Sequence, residues 1–206
     1  MRLTLTQFMT LDGVTQGPGG REEDPSGGFD LGGWSMPFVD EDFGRWINGW
    51  FRQADAFLLG RRTYDIFAGH WPRVTDPADP IASRLNGLPK YVVSRTLHHP
   101  EWGGTSVLNE DVLGQIAELK RQEGRELQVH GSTALARFLL AHGVVDELRL
   151  FVHPVVLGGG RRFFAEGEAP AALRLRESGT THSGVAVLVY EPAGEPLYGE
   201  APPPGE

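Results

Sequence analysis

The chain is expected to fold as one α/β domain, on three observations. Short β-rich runs alternate with helical segments along most of its length, a pattern that favours helices packed on a sheet over a sandwich or a bundle. Three of those β-rich runs end abruptly in small or hydroxylated residues, at Gly60, Ser94 and Gly131. At 206 residues the chain suits a single domain, and a chain of this size buries roughly 70% of its unfolded surface, enough for a core without staples.

Residues 2–9 alternate, with Leu3, Leu5 and Gln7 sharing a face, and predict a first strand. Residues 14–37 carry seven glycines and three prolines. A loop that long inside a compact domain is usually a covering or binding loop. From Asp40 onward Phe43, Trp46, Ile47, Trp50, Phe51 and Ala54 recur at helical spacing and predict a helix, with Asp40 as N-cap and Glu41 and Asp42 favourable in the first turn. A buried strand follows at 56–59 and ends in Gly60-Arg61-Arg62-Thr63-Tyr64. Next come a short helix, the loop His70-Trp71-Pro72 and a second short helix over 80–88. Residues 90–94 predict a third strand, and residues 110–123 a helix stopped by Gly124. Residues 127–130 run as a strand into Gly131-Ser132-Thr133 and a helix closed by Gly143. Residues 147–157, 172–179 and 184–191 predict late strands, antiparallel because no helical crossover separates them. The domain is thus expected over 1–191. The stretch 192–206, with five prolines, three glycines, three acids and no base, is expected to be a disordered tail.

Composition narrows the function. With 19 basic and 27 acidic side chains the formal charge is −8, and no basic block offers the clustered Lys and Arg that phosphate contacts to nucleic acid need. No apolar run approaches the ~18 residues of a membrane span. The first residues lack the apolar stretch and cleavage site of a secreted precursor, so a cytoplasmic location is expected. With no cysteine, disulfides, thiol catalysis and thiolate metal sites drop out. The seven histidines are scattered apart from His98-His99, so no metal site is expected. A small-molecule partner is the remaining class.

The three strand ends carry the strongest chemical signal. In open α/β sheets ligands bind beyond the carboxyl ends of the strands, where helix N-termini present N–H groups to phosphates. Gly60-Arg61-Arg62-Thr63 and Ser94-Arg95-Thr96 bring arginine forks suited to a phosphate monoester, and Gly131-Ser132-Thr133 suits a pyrophosphate. Each alone also reads as an ordinary turn and helix cap. The fingerprints G-x-G-x-x-G and G-x-x-x-x-G-K-[ST] are both absent, which argues against a standard Rossmann dehydrogenase or a P-loop enzyme.

Thr10-Leu11-Asp12-Gly13, Leu59 to Tyr64, Tyr91-Val92-Val93-Ser94-Arg95, His130 to Thr133, and Val145 to Leu150 with Pro154 to Gly160 occur in an order that resembles the dihydrofolate reductase superfamily. The branch they resemble is the C-terminal reductase domain of the riboflavin-pathway bifunctional deaminase-reductase. The resemblance covers residues 2–191. It implies a mostly parallel central sheet with antiparallel C-terminal strands and helices on both faces, NADPH as hydride donor, and a homodimer. It places Gly60, Arg61, Arg62 and Thr63 on the adenosine side of NADPH, Ser94 and Arg95 at the 2′-phosphate, and Gly131, Ser132 and Thr133 under the pyrophosphate. The family more often has a Gly-Gly pair where Ser132 stands here. The zinc deaminase of the bifunctional enzyme needs cysteine ligands, so this chain is expected to correspond to the reductase half.

The implied chemistry is hydride transfer to a C=N or C=O carbon, with a carboxyl or water as proton source. Asp12, in the loop bordering nicotinamide and substrate, and Asp42, on the first helix, are the candidate catalytic acids. A plain Asp-Gly turn and a carboxylate complementing the helix dipole are the competing roles. Trp34 and Trp71, expected in loops, are candidates to wall a planar substrate, whereas Trp46 and Trp50 fall on the core stripe. A non-catalytic nucleotide-binding module and a flavin-dependent reductase are the alternatives.

Overall fold

The computed structural model describes residues 1–164, 166–167 and 170–200. Its centre is an eight-stranded sheet in the order β4-β3-β2-β5-β1-β6-β8-β7. In chain order the elements are β1 (Arg2–Thr10), α1 (Glu41–Phe51), β2 (Ala54–Gly60), α2 (Arg61–His70), α3 (Pro80–Gly87), β3 (Lys90–Val93), β4 (Thr105–Leu108), α4 (Val112–Arg121), β5 (Glu126–His130), α5 (Thr133–Ala141), β6 (Glu147–His153), β7 (Leu173–Thr180) and β8 (Ala186–Pro192). The six strands from β4 to β6 pair in parallel, and β8 runs antiparallel to both β6 and β7. This is the mostly parallel sheet with late antiparallel strands that the resemblance implies.

Helices cover both faces. Leu3 and Leu5 of β1, Leu127 and Val129 of β5 and Leu148 and Leu150 of β6 point to the α4–α5 side, against Ile116, Leu119, Leu135 and Leu139. The other face packs Phe57, Leu59, Phe151 and Val187 against Phe43, Ile47, Trp50 and Phe51 of α1. Parallel strands buried on both sides usually read as continuous apolar runs. Here three central strands alternate, because their α1-facing positions carry Thr4, Thr6, Glu126, Gln128, His130, Glu147 and Arg149. That seam is closed by pairing. Arg149 sits between Glu126 at 2.7 Å and Glu147 at 2.6 Å, and its guanidinium lies over the Trp50 ring.

Three local features differ from the sequence expectation. The strand Thr105–Leu108 pairs with β3 at the sheet edge; four residues with two polar positions carry no period long enough to detect. The helix after β2 starts at Arg61, directly on the strand end. The strand ladder also runs past the boundary expected at residue 191, since Ala193 and Gly194 exchange backbone bonds with Ala172. Residues 201–206 of the expected tail lie outside the described residues. Among the described residues no helix is long and apolar enough to cross a membrane.

Candidate functional site

The parallel strands share one carboxyl-end edge, and the functional candidates are positioned by what leaves it. Among the helices, α1, α3 and α4 are capped by carboxylates: Asp40 accepts from the Phe43 amide, Asp79 from Ile81 and Ala82, and Asp111 from Gly114. The two helices that follow β2 and β5 are different. Gly60 and Ser132 occupy the cap positions of α2 and α5, and neither N-terminus has a side-chain cap. An uncapped first turn leaves N–H groups and the positive end of the helix dipole available to an anion.

These two N-termini are joined side by side. The Gly60 amide donates to Ser132 Oγ at 3.0 Å, the Ser132 amide donates to Thr63 Oγ1 at 3.1 Å, and Thr133 Oγ1 is 2.8 Å from Thr15 Oγ1. The structure therefore brings Gly60, Thr63, Gly131, Ser132 and Thr133 into one cradle. Gly131 and Ser132 both have positive φ, 58° and 54°. Serine in that conformation is uncommon. Here its hydroxyl faces the neighbouring cap instead of its own helix.

The arginines divide. Arg61 Nε donates to both oxygens of Asp65, leaving Nη1 at 3.4 Å from Thr96 Oγ1, so the fork spans from α2 to the Ser94–Thr96 turn. Ser94 Oγ shapes that turn by accepting from the Thr96 and Leu97 amides, and Arg95 stands exposed beyond it. Arg62 turns toward the glycine-rich loop instead, where it pairs with Asp24 at 2.9 Å and reaches Ser26. Arg161 pairs with the same Asp24 and reaches the same Ser26. Burial raises the Asp24 pKa, but the Ser26 and Arg62 hydrogen bonds and the Arg161 charge outweigh it, so the carboxylate is held ionised. Asp24, Ser26, Arg161 and Thr15 had no distinguishing local pattern. They meet only because the 14–37 loop folds down onto the segment after β6. Gly160 permits that approach, since its φ is 111° and a Cβ there would lie 2.8 Å from Val14 and Phe29.

Both candidate acids are committed to neighbours. Asp12 accepts from Thr10 Oγ1 at 2.6 Å and from the Leu157 and Gly158 amides at 3.2 and 2.9 Å, with Arg162 alongside. Burial works to raise its pKa, but these hydrogen bonds outweigh that and pull it down to about 2. The group has no proton to give at neutral pH, and it clamps the β1 turn to the post-β6 segment. Asp42 accepts from the His182 amide at 2.9 Å and pairs with Arg45, tying α1 to the β7–β8 turn.

Asp12→Asn tests the clamp. A depressed folded pKa contributes stability above the unfolded value, 3.8, that is lost as pH falls through about 2. At neutral pH the variant is expected to lose about 1–2 kcal/mol. Urea unfolding should show the gap to wild type closing between pH 4 and pH 2; a pH-independent gap would exclude the clamp.

Of the two tryptophans, Trp34 packs at the carboxyl-end edge against His153 and Trp71 lies away from that edge. Trp34 is buried, donates Nε1–H to Gln16 O, and meets His153 edge-on with centroids 5.1 Å apart. Trp71 lies just past the C-terminal end of α2, about 15 Å along the helix from Arg61, and its carbonyl accepts from Asn86. The expectation that it walls a substrate is corrected by the direction of α2, which carries the chain away from the carboxyl-end edge.

Comparisons with known proteins agree with this architecture. The chain is 29% identical over 191 residues to Bacillus subtilis (strain 168) YyaP, covering 92% of this chain and 94% of that one. A putative riboflavin biosynthesis protein from Shewanella sp. PV-4 superimposes with a TM-score of 0.67 at 19% identity, over 94% of this chain and 99% of the other. Dihydrofolate reductase from Enterococcus faecalis, solved with NADP(H), gives a TM-score of 0.58 at 11% identity, over 93% and 96%. These two structural likenesses establish a shared fold. The model of the RibD C-terminal domain matches residues 2–189, and with a match over nearly its whole length the chain belongs to the RibD C-terminal domain family, a reductase-type family with the dihydrofolate reductase fold.

Proposed function

We propose that this protein is an NADPH-dependent reductase acting on a small pteridine-, pyrimidine- or carbonyl-type substrate. The observation that carries the reading is the pair of uncapped helix N-termini at Gly60 and Ser132, held together by mutual hydrogen bonds beside Arg61. Two adjacent helix starts suit a pyrophosphate, and the Arg61 fork with Arg95 suits a 2′-phosphate. When bound, NADPH supplies a hydride to a C=N or C=O carbon. The chain's contribution is to grip the phosphates, orient the nicotinamide end toward β1 and β6, and exclude water with the 14–37 loop. Asp12 holds the loop segments in register, and water is the proton source in this reading. A homodimer is part of the proposal through the family; exposed Leu11, Val156 and Phe164, on segments joined by backbone bonds, offer an apolar face for it.

Calorimetric titration with NADPH and NADH is the test. Micromolar NADPH binding with NADH at least about tenfold weaker is expected. Arg61→Ala and Arg95→Ala should each weaken NADPH by roughly 1.5–3 kcal/mol and leave NADH nearly unchanged, because each removes a charge-assisted bond to a phosphate that NADH lacks. Equal losses for the two cofactors would remove the 2′-phosphate assignment. A second reading, a nucleotide-binding module without turnover, draws support from the engagement of both Asp12 and Asp42. NADPH binding without oxidation across a panel of pteridines, pyrimidines and small carbonyls would favour it.

A further inference from the structure

Among the described residues, three buried side-chain atoms lack a hydrogen-bond partner: Thr6 Oγ1, Gln7 Oε1 and His153 Nε2. An unpaired buried polar atom is destabilising and calls for an explanation. His153 is the one of the three at the carboxyl-end edge, where it pairs in register with Thr10 at the ends of β6 and β1. Its Nδ1 lies 3.2 Å from the carbonyls of Met9 and Phe151. Both partners are acceptors, so Nδ1 carries the hydrogen and Nε2 presents a lone pair. Burial lowers the imidazole pKa against the raising effect of those carbonyls, which keeps the ring neutral.

The surroundings of that lone pair are aromatic. Phe8, Trp34, Phe38 and Phe43 stand with centroids 6.0, 5.1, 5.8 and 6.2 Å from the imidazole. Phe8 and Phe43 belong to β1 and α1. Trp34 and Phe38 come from the long loop segment, and Trp34 spends its N–H on Gln16 of that same segment. The loop side of the box is therefore not bonded to the imidazole it covers. His153 is also near the nucleotide cradle: β1 alone separates β6 from β5 in the sheet, about 10 Å at the usual strand spacing.

We infer that His153 Nε2 is the hydrogen-bond acceptor for the substrate, and that the aromatic box receives a planar ring presenting an N–H donor to it. The inference rests on the reductase reading, because it places the substrate beside the nicotinamide end. A ring entering the box displaces Trp34 and Phe38 from the imidazole without breaking the sheet, and the single acceptor orients it.

Lumazine, which has ring N–H donors, and 1,3-dimethyllumazine, which has none, are the probes, titrated by tryptophan fluorescence with and without NADP⁺. Wild type is expected to bind lumazine at least about tenfold more tightly than the dimethyl compound, the worth of one hydrogen bond. His153→Phe is expected to bind both equally while keeping its NADPH affinity. A preference that survives in His153→Phe, or no lumazine binding by wild type, would overturn the inference. Should that variant fail to fold, the ¹⁵N resonance of unprotonated Nε2 in wild type decides: lumazine should shift it and dimethyllumazine should not, and no shift at saturating lumazine counts against the role. Failure of NADPH to bind, with the His153-dependent preference intact, would remove the cofactor reading and leave the acceptor in place.

Discussion

Ser132→Asp is expected to weaken NADPH binding by about a hundredfold or more, roughly 2.7 kcal/mol, while leaving the fold at least as stable as wild type. The two effects have one cause. At the cap of α5 a carboxylate complements the dipole and the free amides, worth about 0.3–1 kcal/mol to the helix. The same carboxylate takes the position proposed for the pyrophosphate and repels it. Aspartate tolerates the positive φ of 54° that Ser132 adopts. Three other helices in this protein already carry an aspartate cap, at Asp40, Asp79 and Asp111, so the substitution converts a proposed binding terminus into an ordinary one. Thermal melting and calorimetry on the same preparation check both halves. An unchanged NADPH affinity would show that α5 does not hold the phosphates.

Arg149→Ala is expected to be the most destabilising single change, about 3–5 kcal/mol. The side chain is 5% exposed and bonds Glu126 and Glu147, themselves 10% and 13% exposed. Its removal leaves the Glu126 carboxylate without a cation under α1, beside Gln128, which itself donates to Glu126, and leaves Glu147 only its pairing with Arg2. The cost comes from unpaired buried charge, so replacing all three groups with Leu, Leu and Met should recover most of it. Urea midpoints of the single and triple variants measure the difference. A single-variant loss below about 1 kcal/mol would mean that water reaches the seam and screens it.

Much of this was readable along the chain because it depends on local chemistry. The spacing from Phe43 to Phe51 specifies the buried face of α1, and Asp40 marks its start. Gly60, Ser94 and Gly131 mark where strands stop. The motifs around them, taken in order, point to the family that the match over residues 2–189 establishes. The edge strand Thr105–Leu108 was not readable, since its stability comes from pairing with β3 and not from its own pattern. The roles of charged side chains were legible as residue types and not as pairings. Arg61 and Arg62 are adjacent and look equivalent, yet one faces the Ser94 turn and the other the Asp24 carboxylate.

The fold class, the strand ends that form the carboxyl-end edge and the candidate nucleotide cradle are legible along the chain. These follow from periodicity, caps and turn residues within a few positions of each other. That Asp12 is a clamped anion, that Arg62 and Arg161 share Asp24, that Trp71 lies away from the edge and that His153 is buried with a free lone pair are properties of the assembled fold. The Asp12, Arg62, Arg161 and His153 environments depend on partners about 38 to 150 residues away in the chain, and the place of Trp71 on the direction of α2. Electrostatics and burial act through space, and no local pattern encodes which distant groups the fold brings together.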